Sequence, residues 1–292
     1  MLKTKKRSII LLFIFALVLA LSITASADMG PKDRLTVYVK NAPTEPYYLD
    51  LLTQYTRPYD NFPNDSGSSR ESFNPEMLAL LYSFESDGWF PALTEGTGFP
   101  MWGNLVGTPD SDRMIHKFGY VGVPGTYRII IVTESGVVAV SETHTRAALQ
   151  SSVTFDYASK ESHIPPVLYS YVLQFFITFT LTLLLEGIVL VLFGISLKKN
   201  WLTFLLVNLT TQIILTLTVG LTLIKSGTFS AHLIQVPAEL IITAAEAVAY
   251  RLLLKGIGNK RKIAYGITAN LVSWLAGFFL LNYMFLLLNR LL

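Results

Sequence analysis

Four residues inside the most apolar part of this 292-residue chain have side chains able to do chemistry: Glu186, Asn208, Glu246 and Asn270. Each sits alone in a long hydrophobic run, and each is followed or preceded at similar distance by lysines or arginines. An acidic side chain in hydrocarbon costs roughly 2.5–3.5 kcal/mol on insertion scales. A buried carboxylate therefore needs a proton or a cation, and a buried amide needs partners. Gln212, Tyr250 and Ser273 fall within a turn or so of the same level, so the candidate polar cluster is Glu186, Asn208, Gln212, Glu246, Tyr250, Asn270 and Ser273. Gln174, Thr178, Thr182 and Glu186 recur every fourth residue, a stripe down one helical face.

The runs that carry these residues are close to the ~20 residues that cross a bilayer. Four are expected: Pro166 to Leu197, Trp201 to Ile224, Val236 to Leu254 and Ile263 to Leu288. Lys198 and Lys199 lie between the first two; Arg251, Lys255, Lys260, Arg261 and Lys262 surround the connection between the last two. Lys/Arg-rich alternate loops are cytoplasmic. At ~1.5 Å per residue, Glu186 lies about 18 Å above Lys198, and Asn208 about 14 Å above Lys199. Glu246 lies about 14 Å above Lys255 and Asn270 about 12 Å above Lys262 by the same rise. One shared depth follows.

The two halves also echo one another. Glu186 precedes Asn208-Leu209-Thr210-Thr211 across one basic loop, and Glu246 precedes Asn270-Leu271-Val272-Ser273 across the other. Both pairs run in the same sense through the membrane, so a parallel repeat is expected, its polar site at the interface. A plainer role exists for the amides, since Asn in membrane helices often serves only to tie helices together. Glu239, two residues after Pro237, reads as an interfacial acid in a helix's first turn, favoured there by the helix dipole.

Ahead of the spans stands a secretory leader. Lys3, Lys5, Lys6 and Arg7 precede the apolar Ile9 to Leu21 and the cleavage pattern Ala25-Ser26-Ala27, so cleavage is expected after Ala27. Beyond it, residues 28–165 carry 10 basic and 17 acidic side chains, which leaves no footprint for nucleic acid. The chain has no cysteine, excluding disulfides, thiol catalysis and Cys-bound metals. His116, His144 and His163 are scattered, and Asp110, Asp112, Asp60 and Asp65 complete no calcium loop. No nucleotide, nucleophile-elbow or zinc-protease motif occurs. No cofactor and no catalytic residue is assigned; a metal is left open.

Residues 28–157 read as an all-β domain of immunoglobulin-like sandwich type outside the cell. Strands are expected at Leu35 to Lys40, Tyr127 to Val132, Val137 to Ser141 and Val153 to Tyr157, with a turn at Glu134-Ser135-Gly136. A short helix should begin at Asn74-Pro75-Glu76, and a polar loop should cover 59–72. Residues 158–166 form a tether and 167–292 the membrane bundle. The whole is a multi-pass cell-membrane protein.

The opening Asp28-Met29-Gly30-Pro31-Lys32, the Tyr47-Tyr48-Leu49-Asp50-Leu51-Leu52 stretch, Asp87-Gly88-Trp89-Phe90 and the Pro-Gly-x-Tyr-Arg-Ile strand, joined to the four-span end, carry a resemblance. The chain resembles uncharacterised membrane proteins of Gram-positive bacteria with a leader, an M-G-P-K opening, a β-rich outer domain and a helical bundle. Those continue Pro-Ser where this chain has Asp33-Arg34. The resemblance implies architecture and location, and no site residue.

Three functions fit. The one asking least of the residues has the outer domain docking or sensing envelope components, with the bundle as an anchor in the lipid bilayer, alone, as a homo-oligomer or beside another membrane protein. The second makes the chain a proton or cation carrier or channel component using the Glu/Asn cluster. The third is an intramembrane enzyme with paired carboxylates.

Overall fold

The computed structural model describes residues 30–54, 72–97 and 100–292. The expected leader, and residues 59–71 of the expected polar loop with Asp60 and Asp65, lie outside the described residues.

The first half is β-rich. Two sheets are present: one with strand order β10 (Ser162–His163), β9 (Gln150–Asp156), β1 (Arg34–Lys40), β5 (Arg113–Gly119) and β4 (Thr108–Asp110). The other runs β3 (Phe90–Pro91), β2 (Tyr47–Thr53), β6 (Thr126–Thr133) and β7 (Val138–Val140), with β8 (His144–Thr145) also paired to β6. Most pairs are antiparallel, but β1 lies parallel to β9, Val37 opposite Val153. Alternating side chains of both sheets meet in one core: Val37 and Val39 from β1, Leu49 and Leu51 from β2, Ile129 and Phe155.

The second sheet is covered on its other face too. There Tyr48, Leu52, Ile130 and Val132 pack against Met77, Leu78 and Leu81 of α1 (Pro75–Ser83). Asn74 caps α1 by accepting from the Glu76 and Met77 amides, with Pro75 at the first helical position. The expected strands and this helix are present to within a residue or two, except that β9 starts three residues early, at Gln150. Two of the longer strands were not expected, β2 and β5. All seven residues of β2 are buried, so it lacks the apolar–polar alternation that marks a half-exposed strand. The expected tether is not free chain throughout, because β10 within it pairs with β9.

The second half is helical. Among the described residues, three helices are long and apolar enough to cross a membrane: Val167–Leu192, Leu197–Leu253 and Asn259–Leu288. Their outward faces leave Leu184, Ile188, Leu192, Ile241, Leu252 and Phe279 exposed, as a lipid-facing surface would. The middle one comprises α3 (Leu197–Leu215), a π-helical turn Thr216–Gly220 and α4 (Leu221–Leu253). Straight, its 57 residues would reach about 85 Å. It folds back instead, for Thr211 is hydrogen-bonded to Glu246, 35 residues on.

Gly227 makes the reversal. Its φ of 79° and ψ of −176° are open essentially only to glycine. A Cβ there would also lie 2.7 Å from Pro31 and 2.9 Å from Leu149. The β region abuts the bundle at this end: Leu149 N–H donates to Ile224 O at 2.9 Å, and Ala148 joins the cluster of Val219, Leu223, Leu281 and Met284. At the far end Asn200 ties the two remaining connections, exchanging hydrogen bonds with the Lys255 backbone.

Helix boundaries depart from expectation in three places, one being the last helix, which begins at Asn259 and so takes in Lys260, Arg261 and Lys262. Lys198 and Lys199 form the first turn of α3, where a loop was expected. Pro237 lies inside α4, where a helix start was expected; the chain is already helical after Gly227.

Candidate functional site

Two glutamates from separate helices turn into the bundle. Glu186 comes from α2 (Val167–Leu192) and Glu246 from α4; they are 1% and 2% exposed. α5 (Asn259–Leu288) serves both. Ser273 Oγ donates to Glu186 Oε1 at 2.9 Å, and Asn270 Nδ2 donates to Glu246 Oε2 at 2.7 Å, one turn apart on that helix. From α3, Thr211 Oγ1 donates to the remaining oxygen of Glu246 at 2.6 Å. Asn208 is fully buried and donates to Tyr250 Oη at 2.8 Å. Gln212 Nε2 donates to Thr178 at 2.8 Å. Of the expected cluster, Asn270 and Ser273 thus bond the glutamates directly, Asn208 and Tyr250 bond each other beside them, and Gln212 joins the stripe above Glu186.

A cavity of about 80 Å³ opens beside them. Glu186, Glu246, Thr211, Gln212, Asn270 and Ser273 line it, together with Gln174, Thr178 and Thr182 of the expected stripe. So do Gln235 and Glu239. Glu239 was expected as an interfacial, first-turn acid. It is instead mid-helix, 6% exposed and part of the same lining. The spacing Gln235, Glu239, Ile242, Glu246 and Tyr250 is one helical face and could have revealed this. Ile242 completes the lining on that face. His232, which the sequence reading passed over, lies one turn before Gln235, its ring 4.4 Å from that of Phe278.

The electrostatic balance is lopsided. Three carboxyl groups face the cavity and no basic side chain does so among the described residues. Oxygen acceptors are also in surplus: Glu186 Oε2, Asn208 Oδ1, Gln174 Oε1 and Gln235 Oε1 are buried without a donor among the described residues. Two of these orphan oxygens, on Glu186 and Asn208, belong to residues of the same polar cluster. Among the described residues no three His, Cys, Asp or Glu side chains converge as a metal site requires.

The expected internal repeat has structural counterparts. Each asparagine donates to the carbonyl four residues back, Asn208 to Phe204 and Asn270 to Gly266. The residue after each glutamate packs on that same carbonyl-bearing residue: a Cβ on Gly187 would touch Phe204 at 3.7 Å, and one on Gly266 would meet Ala247 Cα at 3.0 Å. The hydroxyl three residues after each asparagine crosses to the glutamate of the other pair, Thr211 to Glu246 and Ser273 to Glu186.

The β region holds its own buried ionisable groups. Asp50 accepts from the Leu51 amide at 2.8 Å and from the Leu93 amide, and burial pushes its pKa up to about 7. His116 bonds Tyr47 Oη at 3.1 Å, and burial lowers its pKa to about 4. His144 bonds Ser162, His163 lies in β10, and Asp110 pairs with Arg113. None of these joins a shared cavity with the acids of the bundle. No family model, curated protein or solved structure matches this chain.

Proposed function

We propose that this is a multi-pass cell-membrane protein whose helical bundle takes up and passes protons at a buried acidic site formed by Glu186, Glu246 and Glu239. The observation that carries it is three carboxyl groups around one small cavity with no basic side chain in the lining. Leaving such groups ionised and unpaired in low dielectric is prohibitive, so each needs a proton or a cation. A proton fits better than a metal cation. A cation needs its oxygens to converge on one point, whereas the orphan acceptors are strung out. Gln174 and Glu186 alone are about 18 Å apart along α2. Protons satisfy such acceptors one at a time; one on Glu186 Oε2 would turn that orphan acceptor into a donor. An 80 Å³ cavity has room for a few waters to relay them.

In this reading the reversal at Gly227 divides the long middle helix into two crossings, giving four spans. The basic residues at the far end of the bundle are cytoplasmic, and the β region, an immunoglobulin-like sandwich with an added helical layer, lies outside after removal of a leader at Ala27. The likeness to Gram-positive M-G-P-K membrane proteins is consistent with that arrangement.

The test is the full chain in proteoliposomes carrying an interior pH dye, with an imposed potassium diffusion potential. We expect proton entry above that of protein-free vesicles, abolished by Glu246→Gln and Glu186→Gln. Flux of sodium in place of protons, or flux untouched by both substitutions, would overturn the proposal.

A second reading has support in the β region. Trp102 is 42% exposed and stacks on Tyr120 with centroids 4.6 Å apart and planes 4° from parallel. Exposed Val106 and Val121 are close to them in sequence. An exposed aromatic plate of this kind suits docking to an envelope component, with the bundle as its anchor. Loss of cellular function in Trp102→Ala, with Glu186→Gln and Glu246→Gln harmless, would favour it.

A further inference from the structure

The cavity does not extend evenly from the glutamates. Its lining climbs α2 through Thr182 and Thr178 to Gln174, and α4 through Glu239 to Gln235, all toward the end where the β region abuts the bundle. In the other direction it stops at once. There Val189, Leu190, Phe204, Tyr250, Tyr265 and Ala269 form a close-packed layer, with Tyr250 and Tyr265 both fully buried and their rings 4.9 Å apart. Asn208 pins that layer through Tyr250, and the Gly266–Ala247 approach leaves no space for a methyl group.

The seal toward the β region is built differently. Val219, Leu223, Leu281 and Met284 close the cavity there. Next to them runs the π-helical turn Thr216–Gly220, a wider and rarer backbone geometry that accompanies functional sites. The Gln174 amide rests directly on that turn, since a Cβ on Gly220 would lie 2.6 Å from its Oε1. Gln174 is itself buried, with Oε1 lacking a donor among the described residues.

We infer that the acidic site exchanges with the β-region side of the membrane, through a gate made by the π-helical turn Thr216–Gly220 and Gln174, while the tyrosine layer keeps the opposite side closed. This rests on the reading of the bundle as a membrane-embedded acidic site. The gate is an uncommon helical turn with a polar side chain leaning on it, so a small change in that turn uncovers the threonine–glutamine stripe. The tyrosine layer has no such element.

The chain contains no cysteine, so single cysteines report without background. Silver ion, a thiol reagent of atomic size, is added to one side of sealed vesicles, and thiols left unreacted are counted after denaturation. Ser135→Cys, in the exposed β6–β7 turn, marks the β-region side. We expect Thr182→Cys to react from the side that modifies Ser135→Cys, and Ala269→Cys to react from neither. Adding Gln174→Ala should speed the reaction at Thr182→Cys several-fold. Reaction of Thr182→Cys from the opposite side only, or from neither side, would overturn the inference. So would Ala269→Cys keeping pace with it, or a rate indifferent to Gln174→Ala. The labelling needs no proton flux, so failure of the transport reading and failure of this one are told apart.

Discussion

Ser273 lies three residues beyond Asn270, yet its hydroxyl bonds Glu186 at 2.9 Å, the carboxyl of the other helical pair. Thr211, three residues beyond Asn208, does the same in reverse for Glu246 at 2.6 Å. Each carboxyl is therefore held by a donor from the opposite half. Neither half can assemble its acid site alone, which makes the pair of glutamates one site.

Removing either hydroxyl should cost stability, because it strips a donor from a buried carboxyl. Thr211→Val and Ser273→Ala should each destabilise the chain by about 1–3 kcal/mol. Thr211→Ser, which keeps the hydroxyl, should restore most of the loss. Thermal unfolding of the purified full chain in one detergent measures all three; equal effects of Val and Ser at position 211 would refute the bond's contribution.

Glu186→Gln should behave oppositely. The amide keeps an oxygen for Ser273 and puts a donor where Glu186 Oε2 is a buried acceptor without one among the described residues. One orphan acceptor is removed, so the variant should unfold at or above the wild-type temperature while losing proton flux. A marked fall in unfolding temperature would show that the carboxylate itself is structurally required.

Gly227→Ala tests the reversal. The residue would be forced into a glycine-only conformation and against Pro31 and Leu149. A loss of about 1–3 kcal/mol is expected from the backbone alone. Hydrogen exchange should rise first at the Leu149 amide, whose bond to the Ile224 carbonyl joins the β region to this turn.

The β region should carry two opposed pH dependences. Asp50, with a pKa raised to about 7, keeps its proton in the folded state after the unfolded chain has released it near 3.8, so its contribution falls as pH rises across that window. His116, lowered to about 4, stays neutral while the unfolded chain takes up a proton near 6.5, so its contribution is lost as pH drops through that range. Each shift is on the order of 3–4 kcal/mol. Between about pH 4 and 6.5 they largely cancel. Relative to wild type, His116→Phe should tilt stability downward with rising pH, and Asp50→Asn should tilt it upward. Exchange protection of β2 amides across that range reads both slopes; parallel curves for the three proteins would refute the assignment.

The acidic cluster was legible because charge in an apolar run has few innocent explanations, and because Gln174, Thr178, Thr182 and Glu186 keep helical spacing. Glu239 was misread for a local reason. Pro237 looks like a helix start, and only the reversal at Gly227 reveals that the helix already exists there. The reversal itself was hidden, since a single glycine before Thr228 looks like any loop residue. In the β region, β1, β6 and β7 announced themselves by alternation or a turn. Strand β2 did not, because Tyr48 and Leu52 face α1 while Leu49 and Leu51 face the other sheet. Its burial on both sides erases the pattern.

The most direct measurement is the infrared signature of protonated carboxyl groups in the membrane-reconstituted full chain, compared with Glu186→Gln and Glu246→Gln. At neutral pH we expect a protonated-carboxyl band that shifts slowly in heavy water, as a dry site requires, and that loses intensity in Glu186→Gln and in Glu246→Gln. A spectrum without that band, or with one indifferent to both substitutions, would contradict protons held on the glutamates of the bundle.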